Sequence, residues 1–281
     1  MERFVSKAFA GFVFPSIICF VLAFVVPFAW GVVLSFCEFS SLVDIRFVGL
    51  LNYIKAFTVD SFFLESFFFT LGIAVVSLLL VNIIAFSLAL ILTSGISGQN
   101  IFRTVYFMPN LIGGVVLGWI WQIIINGVLV FWEQTILSKP VYGFWGIVLM
   151  ACWQNIGYMM VIYIAALQNI DGNLLEAADI DGANYRTKLF KIIIPSVMPS
   201  ITICFFMTIT NSFKTYSQNL SLTAGQPNHR TEMMALNIFD TFYSRVNFEG
   251  VAQAKAVVFT LIVAVLALLQ LYFTGRKEYE N

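Results

Sequence analysis

Charge is absent from six long stretches of this chain: 8–37, 66–102, 104–132, 140–170, 192–213 and 256–275. Each is at least 20 residues long, and a helix needs about 20 apolar residues to cross a hydrocarbon core of about 30 Å. Lipid offers the backbone no partners, so each stretch must close its own hydrogen bonds as a helix. The pattern predicts an all-α, polytopic membrane protein with six transmembrane helices in one domain, 1–281. The expected spans are 9–36, 66–93, 103–126, 143–167, 191–212 and 254–275. Composition agrees: 60% of the residues are apolar and 11% charged, where about a quarter of an ordinary soluble sequence is charged. Mean hydropathy is +0.89.

The first window is too long for the core of a cleaved signal, and its Ala8-Phe9-Ala10 precedes the apolar run instead of following it. It reads as a retained anchor. Six spans put both termini on one side. With the termini inside, the inner segments hold eight cations: Arg3, Lys7, Arg103, Arg186, Lys188, Lys191, Arg276 and Lys277. The outer segments hold Arg46, Lys55, Lys139, Lys214, Arg230, Arg245 and Lys255. The inner segments are about half as long together, so the density of positive charge favours cytoplasmic termini.

Net charge is formally zero, which gives no footprint for nucleic acid. One histidine, His229, and no Cys/His cluster argue against a metal centre. Cys19, Cys37, Cys152 and Cys204 lack any framework spacing and read as small apolar helix residues.

Breakers and amides interrupt the spans. Pro15 and Pro27 lie in the first, Pro109 in the third, Pro195 and Pro199 in the fifth. They are either ordinary membrane-helix prolines or kinks that shape a path. The polar residues include Asn110, Gln122, Asn126, Gln154, Asn155, Thr208 and Asn211, with Lys214 following the fifth span. Amides in lipid commonly join helices. The alternative is a polar path for a hydroxyl-rich solute, for which Gln154, Asn155, Asn211 and Lys214 are the candidates. No Asp or Glu lies mid-span, so the acidic relay of a proton- or sodium-coupled carrier is missing.

The inner loop 168–190 is unusually charged. Asn173 followed by Glu176 fits a capping box at a helix start. Leu174, Leu175, Ala177, Ala178 and Ile180 then give a short helix with a small, apolar side. Gly182 permits a turn at low steric cost, and Tyr185 to Lys191 begins a second helix, with Pro195 marking the next break. Two short helices joined at Gly182 form either a docking knob or a surface connector.

Glu176-Ala177-Ala178, three residues, Gly182, nine residues, then Ile192-Ile193-Ile194-Pro195 resembles the EAA signature of ABC-importer permeases, with Ile194 in place of a leucine. Phe47-Val48-Gly49-Leu50-Leu51-Asn52-Tyr53 and Phe102 to Pro109 resemble segments of the sugar permeases of the maltose-transport type. Leu222-Thr223-Ala224-Gly225-Gln226-Pro227 resembles their LTGGGP loop, departing at Ala224 and Gln226. The likeness runs nearly the whole length and is strongest to the MalF-like member of the pair.

That resemblance implies a type I ABC-importer permease fold in a bacterial-type plasma (inner) membrane. It implies a second, MalG-like permease, two ABC ATPase subunits and an extracytoplasmic solute-binding protein as partners. Glu176, Ala177, Ala178, Asp181, Gly182 and Arg186 become the ATPase-coupling residues, and the outer loop 213–252 becomes the receptor-docking surface. ATP and Mg belong to the partner ATPase: this chain has no Gly-Lys pair, hence no GxxxxGK[ST] phosphate loop, and no cofactor of its own is expected. The expected cargo is carbohydrate. Another polar solute, such as a glycerol phosphate, is the alternative within the family. A self-sufficient carrier or channel is the alternative from another class.

Overall fold

The computed structural model describes residues 11, 13–40 and 44–279. Its charge-free stretches close their backbone hydrogen bonds as helices: α1 (Val13–Ser35), α3 (Ser61–Thr93), α5 (Gly114–Leu129), α6 (Pro140–Gln168) and α12 (Glu249–Tyr279). Among the described residues, five helices are long and apolar enough to cross a membrane. A bent pair, α8 (Tyr185–Ser196) and α9 (Met198–Phe213), makes a sixth. Shorter helices connect them: α2 (Leu51–Thr58), α4 (Gln99–Phe107), α7 (Gly172–Ile180), α10 (Tyr216–Leu222) and α11 (Met234–Ser244).

The chain divides into two compact units. One comprises Met1–Ser61 and Ile238–Leu261; the other comprises Phe62–Asn237 and Ile262–Asn281. In the first, α1 leads into a two-stranded antiparallel hairpin, β1 (Cys37–Phe39) and β2 (Ile45–Phe47), with Glu38 opposite Arg46. The Phe47–Tyr53 segment acts as a clamp. Gly49 takes φ +60°, and Asn52 donates to the carbonyls of Ser35 and Cys37 at 2.9 and 2.8 Å. Those carbonyls lie where α1 ends and have no intrahelical partner. Gly250 allows α12 to approach here, because a Cβ would fall 2.2 Å from the Cys37 carbonyl oxygen. Lys255, read from sequence as an outer surface cation, is fully buried. It pairs with buried Asp60 and donates to Thr241 at 2.7 Å, while Arg245 reaches the same carboxylate at 3.2 Å.

The second unit holds the main core, with Val81, Leu117, Ile147 and Met159 fully buried. Small residues let its helices touch. A Cβ on Gly157 of α6 would lie 1.8 Å from the Tyr106 carbonyl oxygen of α4. Gly114 and Gly118, four residues apart on α5, face α10: a Cβ added at either would fall 2.8 Å from the Gln218 side chain or 2.0 Å from the Ser221 hydroxyl. This small-xxx-small spacing is a recurrent way to bring membrane helices into contact. Polar ties cross the core as well: Tyr163 donates to Asn82 at 2.7 Å, and Asn82 donates to Thr208 at 3.1 Å.

Several boundaries differ from those expected. The third span, read as 103–126, is interrupted: α4 ends at Phe107, a 3-10 turn covers Met108–Leu111, and α5 restarts at Gly114. Pro109 lacks an N–H, and Gly113 is extended (φ −61°, ψ 140°). The fifth span bends by 69° at Val197, between Pro195 and Pro199. The second begins earlier, at Ser61, with Glu65 exposed near its start. The segment 213–252, expected as an outer loop, is not an open loop, since it contains α10 and α11. All four cysteines are free, three of them buried. Arg3 and Lys7, used for orientation, lie outside the described residues.

Candidate functional site: a polar cavity and an exposed hairpin

Midway along the second unit's long helices lies a cavity of about 230 Å³. Ser77 is the midpoint of α3, and Gln154 and Asn155 sit halfway along α6. Asn110, in the break before α5, faces the same space, as do Thr208, Asn211 and Ser212 of α9. Lys214 and Thr215, at the end of α9, and Gln218 of α10 complete the polar wall. The four residues nominated from sequence, Gln154, Asn155, Asn211 and Lys214, therefore face one another across one cavity. Broken helices explain how they meet. Where α4 and α9 stop, the chain turns and presents polar groups to the cavity, the setting in which broken helices are tolerated in membrane proteins.

Asn155 donates to the Ala151 carbonyl at 2.8 Å, but the other amide donors are loosely held. Gln218 donates to Gln154 Oε1 at 3.3 Å, Gln154 to the Ile112 carbonyl at 3.5 Å, and Asn211 to Asn155 Oδ1 at 3.5 Å. Amide hydrogen bonds are usually near 2.9 Å, so hydroxyls of a bound solute compete for these donors on favourable terms. Ser77 is buried, and its hydroxyl has no hydrogen-bond partner among the described residues. Sequence reasoning passed over Ser77 and Gln218. The first sits in an unbroken apolar run; the second lies beyond the expected end of the fifth span.

At the far end of α6 stands the charged hairpin. The cap of α7 is Asp171, whose Oδ1 accepts from Asn173 N at 3.0 Å. The expected box of Asn173 and Glu176 is therefore not formed: the helix starts at Gly172, and Glu176 is an exposed residue of its interior. Ala178 is buried, whereas Ala177, Asp181 and Arg186 are exposed and Ile180 is 87% exposed. Gly182 turns the chain at φ +75° with open space around it. Asn184 caps α8 by accepting from Thr187 N at 2.9 Å, and Pro195 lies in its last turn.

Residues 83–279 match the family described as "Binding-protein-dependent transport system inner membrane component". The chain belongs to that family. As members of it are, this chain is a membrane permease component of a binding-protein-dependent transport system. It is similar to the "Probable starch degradation products transport system permease protein AmyD" of Thermoanaerobacterium thermosulfurigenes, with 39% identity over 277 residues, 96% of this chain and 94% of the relative. It is also similar to the "Multiple sugar-binding transport system permease protein MsmF" of Streptococcus mutans, with 25% identity covering 95% of each chain. Its fold matches a chain of the crystal structure of a bacterial alginate ABC transporter in complex with alginate pentasaccharide-bound periplasmic protein (TM-score 0.81, 18% identity, 99% and 97% covered).

Proposed function

We propose that this permease forms half of the translocation path of an ATP-driven carbohydrate importer, with the cavity around Gln154 and Asn211 as part of that path. The observation that carries this reading is the chemistry of the wall: ten of its twelve residues are amides, hydroxyl residues or Lys214, and Ser77, Gln154 and Asn155 among them sit halfway along α3 and α6. Such a wall exchanges hydrogen bonds with a polyol and offers little to an apolar solute. The names of the two permeases cited above, one for starch degradation products and one for multiple sugars, support a saccharide as cargo.

In this account the termini and the hairpin 168–190 face the cytoplasm. Each of two ATPase subunits, which hold ATP and Mg, grips one such hairpin, one on this chain and one on a second permease. The exposed Glu176, Ala177, Asp181 and Arg186 offer the contact, and the Gly182 turn sets its shape. ATP binding moves the hairpins and tips the permease pair open to the outside; hydrolysis resets it. A solute-binding protein delivers cargo at the outer segments.

The test is uptake into proteoliposomes holding the full complex. Saccharide uptake that needs ATP, the second permease and the binding protein is the expected result. Uptake by this chain alone would sink the importer reading. Uptake of glycerol 3-phosphate but of no saccharide would move the cargo to the alternative solute.

A further inference from the structure

Lys214 is the one ionisable residue among those lining the cavity, and no aromatic ring or carboxylate lines it. Its side chain forms no ion pair or hydrogen bond among the described residues, and it is exposed. The contrast with Lys255 is direct, since that buried ammonium is held by Asp60. Lys214 follows α9 as its C-cap residue, where a cation is favoured by the helix dipole. That accounts for a positive charge at this place. It does not account for a cavity wall without a counter-ion. The unpartnered, buried Ser77 hydroxyl in the same wall independently leaves room for a ligand.

We propose that Lys214 is a charge filter for the solute, ranking saccharides of equal length as acidic above neutral above cationic. The inference rests on the carbohydrate reading of the cavity. An ammonium facing the cavity attracts a uronate or sugar phosphate and repels a protonated amino sugar. Neutral saccharides are still carried, through the amides and hydroxyls that Lys214 does not replace. Rejecting the wrong charge is as effective a route to specificity as binding the right one.

The experiment measures binding of maltotriose, trigalacturonate and a fully deacetylated chitotriose to the purified permease–ATPase complex. The binding protein is omitted, so that its own selectivity plays no part. The expected result is at least ~10-fold tighter binding of the acidic than of the cationic trisaccharide, a difference of about 1.4 kcal/mol. The ranking collapses in Lys214→Gln, persists in Lys214→Arg, and narrows as salt is raised. Equal binding of all three by the unaltered complex overturns the filter and leaves the carbohydrate reading standing, as does an unchanged ranking in Lys214→Gln. Binding of none of the three overturns both. If Lys214→Gln does not assemble, the salt dependence of the unaltered complex decides: a ranking that salt does not touch overturns the filter.

Discussion

Lys188 reaches back across the Gly182 turn to Asp179, with Nζ 2.6 Å from Oδ1. The pair joins α7 to α8, so the hairpin can transmit a push as one piece. Asp179 is largely exposed, and an exposed pair of this kind contributes about 0–1 kcal/mol. Asp179→Ala and Lys188→Ala are therefore expected to leave complex assembly intact and to lower ATPase stimulation by a few-fold at most. The exchanged pair Asp179→Lys with Lys188→Asp recovers most of it. Stimulation assays on the three variants check this, and a double variant worse than either single one would contradict it.

Gly157 tests the packing. Its Cβ would meet the Tyr106 carbonyl oxygen at 1.8 Å, a backbone atom that cannot rotate away. Overpacking costs about 1–3 kcal/mol, so Gly157→Ala is expected to lower the thermal midpoint of the purified complex or prevent its assembly. Gly127→Ala is the control, because an added Cβ there meets nothing within 4 Å. Equal midpoints for the two would contradict the close approach of α4 and α6.

Lys255 tests the buried charges. Removing one partner of a buried ion pair costs about 3–5 kcal/mol, because the other is left uncompensated. Lys255→Met should therefore accumulate poorly in the membrane. Arg245 still faces the Asp60 carboxylate at 3.2 Å, so part of the loss is absorbed, and Asp60→Asn together with Lys255→Met restores more. Membrane abundance by immunoblot reads the series.

Gln154 tests the cavity. Its side chain accepts from Gln218 and donates toward the Ile112 carbonyl, and both contacts are long enough to yield to a solute. A hydrogen bond contributes about 1 kcal/mol, so Gln154→Ala should raise the concentration for half-maximal uptake by roughly fivefold, with assembly unchanged. Uptake kinetics equal to those of the unaltered chain would remove Gln154 from the path.

Lipid made much of this fold legible. A charge-free window has one solution in a bilayer, and the expected 143–167 lies within the observed Pro140–Gln168. Reading by charge failed where charge and membrane depth part company. Lys255 looks like a boundary because its partner, Asp60, is 195 residues away in sequence. Glu65 looks like one too, although it sits exposed in the first turns of α3. Helix breaks inside apolar runs were signalled by Pro109, Pro195 and Pro199, but a proline does not state how far the chain turns. Met234–Ser244 was hidden among polar neighbours. Gln154, Asn155, Asn211 and Lys214 were visible as polar residues flanking two spans. Ser77 was not, since one hydroxyl in an apolar run looks like any other. After α10, Ala224 takes φ +47°, which gives a physical reason for glycine at this place in the resembling pattern.

In the proposed mechanism the hairpin is the lever, and Gly182 sets its shape. At φ +75°, and with nothing within 4 Å of where a Cβ would sit, the position constrains backbone conformation, not local space. Left-handed geometry costs an ordinary residue about 1–2 kcal/mol, and asparagine tolerates it best. The measurement is ATPase activity stimulated by binding protein and solute, in assembled complexes carrying Gly182→Val or Gly182→Asn. The account predicts that the valine complex keeps its basal hydrolysis and loses stimulation, while the asparagine complex retains most of it. Full stimulation in an assembled Gly182→Val complex would contradict the claim.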